Sequence, residues 1–229
     1  MDRPVPGEGE VLVRVRAAAI TRGELEWPVD RLPAVPSYEL SGAIADTGEE
    51  VFALTPFDRD GVAAEYASVT SAVLAPKPAS LTHVEAAALS MGGLSAWQGL
   101  FVHGHLQAGE RVLVTGASGG VGHLAVQLAR QAGAEVVDEE PAELVFDTVG
   151  GELPVGGRVV TIAAEAPGAT YFVVEPDREQ LVELARLADA GELVPAIDST
   201  FPLDSAREAF ERVAAHGKRG KVVLDVAGD

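Results

Sequence analysis

The sequence predicts an α/β protein built on a parallel sheet, with a β-rich portion ahead of it. Three observations carry that expectation. Residues 111–114 (Arg-Val-Leu-Val) form an apolar run that enters the glycine turn Thr115-Gly116-Ala117-Ser118-Gly119-Gly120-Val121-Gly122, and residues 123–130 continue with helical spacing. Residues 144–149 and 158–163 are continuous apolar runs, which suit strands covered on both faces. Residues 10–17 instead alternate apolar and polar side chains, as a half-buried strand does.

Taken in order, the first block, residues 1–95, holds that alternating strand and further strands at 38–45, 50–54 and 61–69. Pro76-Lys77-Pro78 marks a rigid extended bend. Residues 80–83 lead into an Ala-rich helix through Leu89, and a second helix is expected over 94–103. The middle block, 96–195, reads as the strand–turn–helix unit, a short strand at 134–137, the two apolar runs, and an edge strand at 171–174. Asp177 and Gln180 have capping-box spacing for a helix through Ala190, which Gly191 ends. The last block, 196–229, holds a helix at 204–215, the basic turn His216-Gly217-Lys218-Arg219-Gly220-Lys221, and a strand at 222–226. That basic turn suits a helix C-terminus by dipole complementarity, and could also touch a phosphate.

The glycine turn carries the chemistry. Its spacing is G-x-x-G-x-x-G, with Ser118 where the familiar G-x-G-x-x-G has its second glycine. The roles can still be filled: Gly116 allows the tight turn, Gly119 and Gly120 let backbone approach a phosphate, and Gly122 lets the helix pack close to the strand. Backbone N–H groups at a helix N-terminus then make an anion site. Gly116, Ser118, Gly119, Gly120 and Val121 are therefore the candidates for binding a dinucleotide pyrophosphate. Asp138 follows Gly116 by 22 residues, at the end of the second strand, where an acid binds a ribose 2′-hydroxyl. It favours NAD(H), and Glu139 and Glu140 would further repel a 2′-phosphate. The same cluster also reads as a solvated acidic turn.

Composition removes other classes. The 229 residues are 47% hydrophobic with no charge block or low-complexity tract, so a globular protein with a real core is expected. A net charge of −18 disfavours nucleic acid and anionic membrane as partners. No apolar run is long enough for a membrane span, and the first residues lack a signal pattern, so a cytoplasmic protein is expected. The absence of cysteine excludes disulfides, thiolate metal sites and thiol nucleophiles. His103 and His105 are close in sequence but have no recognisable third ligand, so no metal is expected. Gly116-Ala117-Ser118-Gly119 is not a nucleophile elbow, which argues against a hydrolase.

Several segments together resemble the medium-chain dehydrogenase/reductase superfamily, in its zinc-free, quinone-oxidoreductase-like branch. They are residues 6–15, 35–42, 60–66 (Asp-Gly-Val-Ala-Ala-Glu-Tyr), 74–78, 85–89, 93–97 (Gly-Leu-Ser-Ala-Trp), 116–122, 146–151 (Phe-Asp-Thr-Val-Gly-Gly) and 219–224 (Arg-Gly-Lys-Val-Val-Leu). The resemblance implies a discontinuous GroES-like substrate domain, 1–95 with 196–229, and a Rossmann domain over 96–195, with the active cleft between them. It implies hydride transfer from NADP(H) to an activated double bond or quinone, a small-molecule substrate, and a homodimer, for which residues 171–174 offer an edge. By the same resemblance Thr21 and Tyr38 are catalytic candidates on the substrate side, and Ser95, Thr148 and Ala163 line the nicotinamide side.

Departures from the family pattern temper this. The family's usual N-terminal strands ahead of Pro6-Gly7 are missing. After the strand at 134–137 only residues 138–143 precede the next one, a reach of about 20 Å at most. A parallel crossover normally takes a dozen or more residues. The sequence therefore predicts a shortened Rossmann sheet that lacks a second helix and third strand and supports the adenosine half poorly. A further helix is expected to be lost between Gly151 and Gly156. An oxidoreductase that kept its cofactor and a redox-inactive member acting as a cofactor-free cyclase, isomerase or binding protein both remain open.

Overall fold

The computed structural model describes residues 3–27, 32–139, 141–154 and 157–226. Two sheets share one long helix. The first sheet has the strand order β11-β12-β1-β2-β3-β5, with β4 paired to the other half of β1. Its strands are β1 (Glu10–Ile20), β2 (Glu39–Ile44), β3 (Glu50–Leu54), β4 (Tyr66–Thr70), β5 (Ala75–Pro76), β11 (Ile197–Pro202) and β12 (Lys221–Asp225). The second sheet is parallel throughout, in the order β10-β9-β8-β6-β7. It comprises β6 (Arg111–Val114), β7 (Glu135–Val137), β8 (Leu144–Asp147), β9 (Arg158–Thr161) and β10 (Thr170–Tyr171).

The shared helix is α1 (His83–Trp97), started by a full capping box between Thr82 and Glu85. Small side chains let it lie close on the first sheet: Ala87 and Ala88 meet Ala17, Ala19 and Val223. Its other side joins the core of the second sheet. There Leu89 and Leu94 cluster with Val112, Val114, Leu144 and Phe146, with Leu124 and Leu128 of α2 (Gly122–Gln131), and with Leu181 and Leu184 of α3 (Arg178–Asp189). The fourth helix, α4 (Ala206–Ala214), packs Ala209 and Val213 on the first sheet.

The structure corrects several expected elements. Residues 83–97 form one helix running through Gly92-Gly93, not one ending at Leu89 and a second over 94–103, and a π-helical stretch, Gln98–His103, continues it. The two glycines are there for close approach: a Cβ on Gly92 would lie 2.7 Å from Gly120 O, and one on Gly93 2.9 Å from Leu184 Cδ1. The strand expected over 61–69 is regular only from Tyr66. Gly61 runs so near the backbone of Pro36 and Ser37 that a Cβ would sit 2.2 Å from Ser37 O. The edge strand at 171–174 shrinks to Thr170–Tyr171. The strands expected to reach 149 and 163 end at Asp147 and Thr161, where the chain turns toward the site. The Asp177 capping box is half present: Asp177 accepts from Gln180 N, while Gln180 Oε1 accepts from Gln98 Nε2. The helix expected over 204–215 begins at Ala206, after a short 3₁₀ turn at Leu203–Ser205.

The shortening is as the sequence predicts. β7 and β8 flank β6 on opposite sides, and the chain between them crosses β6 within residues 138–143, with no helix or strand among those described; Glu140 lies outside them. β7 is the edge of the sheet. All three helices over this sheet share one cluster on one face. The opposite face carries only a small cluster of Leu113, Ala142 and Val145, with Val137 and Val159 beside it. Ala142, from the linking segment itself, takes the place a helix would cover. No helix is present over 151–154, and the rest of that expectation falls outside the described residues. No helix among the described residues is long and apolar enough to cross a membrane.

Candidate active site between the two sheets

The glycine turn is a cradle that side chains would fill. Gly116 has φ 68°, and a Cβ there would come within 2.6 Å of Thr148 Oγ1 and Val149 Cγ2. A Cβ on Gly122 would lie 2.2 Å from Gly116 O. Ala117 and Ser118 are exposed between them, and Val121 contributes no side-chain cap to α2. No side chain caps the first turn of α2, where His123 N and Leu124 N donate to the backbone oxygens of Gly119 and Val121; the glycine segment ahead of them is the part that fits an anionic group.

The cradle is tied to the first sheet at three points. Gly220 N donates to Ser118 O at 3.0 Å. His123 Nδ1 lies 2.7 Å from Gly119 O, and Ala196 N donates to His123 Nε2 at 2.9 Å. That pairing makes the ring neutral with its proton on Nδ1, and burial holds its pKa below the usual histidine value. The aliphatic stem of Lys221 crosses Gly120 so closely that a Cβ there would lie 2.6 Å from Lys221 Cδ.

Beneath the strand ends, Asp147 organises the second sheet. It accepts from Thr115 Oγ1 at 2.5 Å, from Thr161 Oγ1 at 2.7 Å, and from the N–H groups of Val149 and Gly150. Burial alone would push its pKa up, but these hydrogen bonds outweigh it and hold the carboxyl below its ordinary value. One carboxylate therefore fixes the C-terminal ends of β6, β8 and β9, where open α/β sheets bind ligands. Thr148 is held there as well, its Oγ1 donating to Thr115 O at 2.7 Å. Ala163 is exposed nearby, its Cβ 3.2 Å from where a Cβ on Gly150 would sit.

A charged cluster closes the site from the first sheet. Lys221 Nζ donates to Glu39 Oε1 at 2.5 Å and to Thr21 Oγ1 at 2.9 Å, and Thr21 Oγ1 donates to Glu39 Oε1 at 2.9 Å. Glu39 is fully buried, and its Oε2 is the one buried side-chain oxygen without a hydrogen bond among the described residues. Glu24 lies alongside, accepting from Thr21 N at 2.7 Å and from Ser37 N at 2.8 Å. Ser37 has φ 67°, a strained backbone for a residue other than glycine, so Glu24 braces the turn that presents Tyr38 and Glu39.

Of the residues expected from sequence, Thr21, Gly116, Gly119, Gly120, Thr148 and Ala163 all stand around this junction. Tyr38 is 5% exposed, its ring packed between Trp27 and Phe57, and its phenol makes no hydrogen bond among the described residues. Ser95 is buried in α1, one turn beyond Met91, whose sulfur lies 3.6 Å from Thr21 Oγ1. Asp138 and Glu139 are exposed just past β7, at the far edge of the sheet. Sequence reasoning missed Glu24, Glu39, His123, Asp147 and Lys221. The basic turn was a signal, but it was read as complementing a helix end; Lys221 is instead the first residue of β12 and turns into the site. Among the described residues no group of three or more His, Cys, Asp or Glu side chains is placed to hold a metal.

Comparison with known proteins follows the same lines. The family described as "Zinc-binding dehydrogenase" matches residues 122–224. The chain is 29% identical to "Probable zinc-binding oxidoreductase, mitochondrial" of Arthroderma benhamiae, over 98% of this chain and 92% of the relative. It is 27% identical to the chloroplastic "NADPH-dependent alkenal/one oxidoreductase" of Arabidopsis thaliana, over 95% and 72% respectively. "Quinone oxidoreductase" of Lama guanicoe is 28% identical in an alignment of 305 residues covering 96% of this 229-residue chain. Relatives therefore carry internal residues that this chain lacks. An alcohol dehydrogenase superfamily protein from Novosphingobium aromaticivorans shares the fold with a TM-score of 0.84, at 26% identity, over 99% of this chain and 94% of that one.

Proposed function

The chain belongs to the medium-chain dehydrogenase/reductase superfamily, and from that premise we propose that it reduces an activated carbon–carbon double bond or a quinone with a nicotinamide cofactor. The observation that carries this reading is the glycine turn at the start of α2, which no side chain caps and which a side chain at Gly116, Gly120 or Gly122 would block. Gly116, Ser118, Gly119, Gly120 and Val121 would hold the pyrophosphate, with the aliphatic stem of Lys221 packed against Gly120. Ser95, Thr148 and Ala163 would face the nicotinamide half, and Thr21 and Tyr38 the substrate. The cofactor supplies the hydride; the protein positions both partners and excludes water. A relative named as NADPH-dependent supports NADP(H), whereas Asp138 favours NAD(H). The reading is zinc-independent, supported by the lack of cysteine and of a ligand cluster among the described residues, although some relatives are named as zinc-binding. A cytoplasmic homodimer paired along the Thr170–Tyr171 edge completes it.

One observation favours a second reading. The sheet ends at β7 and one of its faces has lost its helices, which removes support from the adenosine half. A cofactor-free cyclase, isomerase or binding protein would tolerate that loss. Thermal unfolding with NADPH or NADH separates the two, since ligand at 100 times its Kd stabilises by about 2.7 kcal/mol. We expect an upward shift with at least one cofactor, and its oxidation at 340 nm when an enone or quinone is added. No shift with either at millimolar concentration would defeat the reductase reading.

A further inference from the structure

We propose that Lys221 and Thr21, held in place by Glu39, form a proton-delivery chain, with Thr21 as its donating tip, that protonates the α-carbon of an α,β-unsaturated carbonyl substrate. The choice of substrate rests on the reductase reading above; the proton chain rests on the cluster itself. Its three groups are graded by depth: Glu39 is fully buried, Lys221 is 7% exposed, and Thr21 is half-buried at the surface end. The Thr21 hydroxyl accepts from Lys221 and has one proton of its own, now held by Glu39 Oε1 with the weak acceptor Met91 Sδ beside it. Lys221 has three N–H groups and two acceptors among the described residues, so one donor is uncommitted, as is the buried Glu39 Oε2. The Lys221 stem lies across Gly120, so the chain is seated directly against the cradle. Glu24 fixes Thr21 through its backbone N–H. Tyr38 lacks such an arrangement: its phenol makes no hydrogen bond among the described residues.

The step balances. Hydride from a dihydronicotinamide adds to the β-carbon, and the double-bond electrons move onto the α-carbon and carbonyl as an enolate. The α-carbon takes the proton from the Thr21 hydroxyl, Thr21 oxygen takes one from the Lys221 ammonium, and Lys221 regains one from water. Reduction of a quinone differs, because its protons end on oxygen and exchange freely with water, with no positioned acid required.

The test compares Thr21→Val and Thr21→Ser with the wild type, after thermal unfolding shows that all three fold. Turnover of 2-cyclohexenone is divided by turnover of 9,10-phenanthrenequinone, so that a general loss of activity cancels. Positioned acids contribute about 10²–10⁴ to such steps, and we expect the ratio to drop at least about tenfold in T21V and to recover in T21S. A second readout needs no cofactor: α-hydrogen exchange of cyclohexanone in D₂O, followed by NMR, should be catalysed by the wild type and lost in T21V. An unchanged ratio in T21V overturns the proposal, as does exchange absent from the wild type or equally fast in T21V. Should the wild type reduce neither acceptor, the reductase reading falls, while Thr21-dependent exchange would still establish the proton chain.

Discussion

Glu24 is a buried carboxyl with no salt-bridge partner among the described residues, Lys221 being engaged by Glu39. Burial, first, and then the charge of Glu39 push its pKa up to about 7, against hydrogen bonds from Thr21 N and Ser37 N and the attraction of Lys221. The folded state therefore holds this proton more tightly than the unfolded chain, where a glutamate titrates near 4.5. The sign follows: Glu24 contributes most below pH 4.5, and that contribution is lost as the pH rises through about 7. The shift bounds the effect at about 3 kcal/mol. Thermal midpoints should fall between pH 5 and 8 in the wild type and change less in Glu24→Gln. An equal slope in the two proteins would show that another group carries the dependence.

Among the elements, α1 does the most to join the two sheets, and it does so where it lacks side chains. An alanine in place of a helical glycine normally gains about 1 kcal/mol of helix propensity. At Gly92 that gain is outweighed, because the new Cβ would meet the backbone oxygen of Gly120 at 2.7 Å. The backbone of the cradle cannot rotate away as a side chain can, and overpacking of this kind costs about 1–3 kcal/mol. Gly92→Ala should lower the urea midpoint and also reduce the cofactor-induced thermal shift. Gly93→Ala is the control, because its Cβ meets side-chain methyl groups of Leu184 and Leu89 rather than backbone. Comparable losses from both substitutions would mean that helix α1, rather than the cradle, is what Gly92 protects.

At the scale of the whole molecule, a doubly covered sheet has become nearly a two-layer one. Helices α1, α2 and α3 cover one face, and on the other Ala142 and its neighbours close over Leu113 and Val145. Asp138 then stands exposed at the last strand, with no strand beyond β7 among the described residues to support a bound adenosine. If Asp138 meets the cofactor, removing its charge relieves repulsion of a 2′-phosphate. That repulsion is about 1 kcal/mol at 4 Å in water, or about fivefold in affinity. Asp138→Ser should therefore raise the Kd ratio of NADH to NADPH by about that factor, read by fluorescence titration. An unchanged ratio would make the acidic cluster a solvated turn.

The sequence by itself determined the parallel sheet, the glycine cradle, the family and the missing crossover. Each of these is a local property: apolar runs, glycine spacing and the reach of six residues follow from covalent geometry and short-range sterics. It expected a helix ending at Leu89 and a second over 94–103 where one runs through Gly92 and Gly93, because the use of a helical glycine depends on which backbone lies against it. It named Thr21 as a candidate but not its partner Lys221, 200 residues away and 2.9 Å distant in space. Only the tertiary structure decided that Glu24, Glu39 and Lys221 share one buried cluster and that Asp147 ties three strand ends together. Burial and charge pairing are set by which strands become neighbours, and a residue's spacing along the chain carries no record of that.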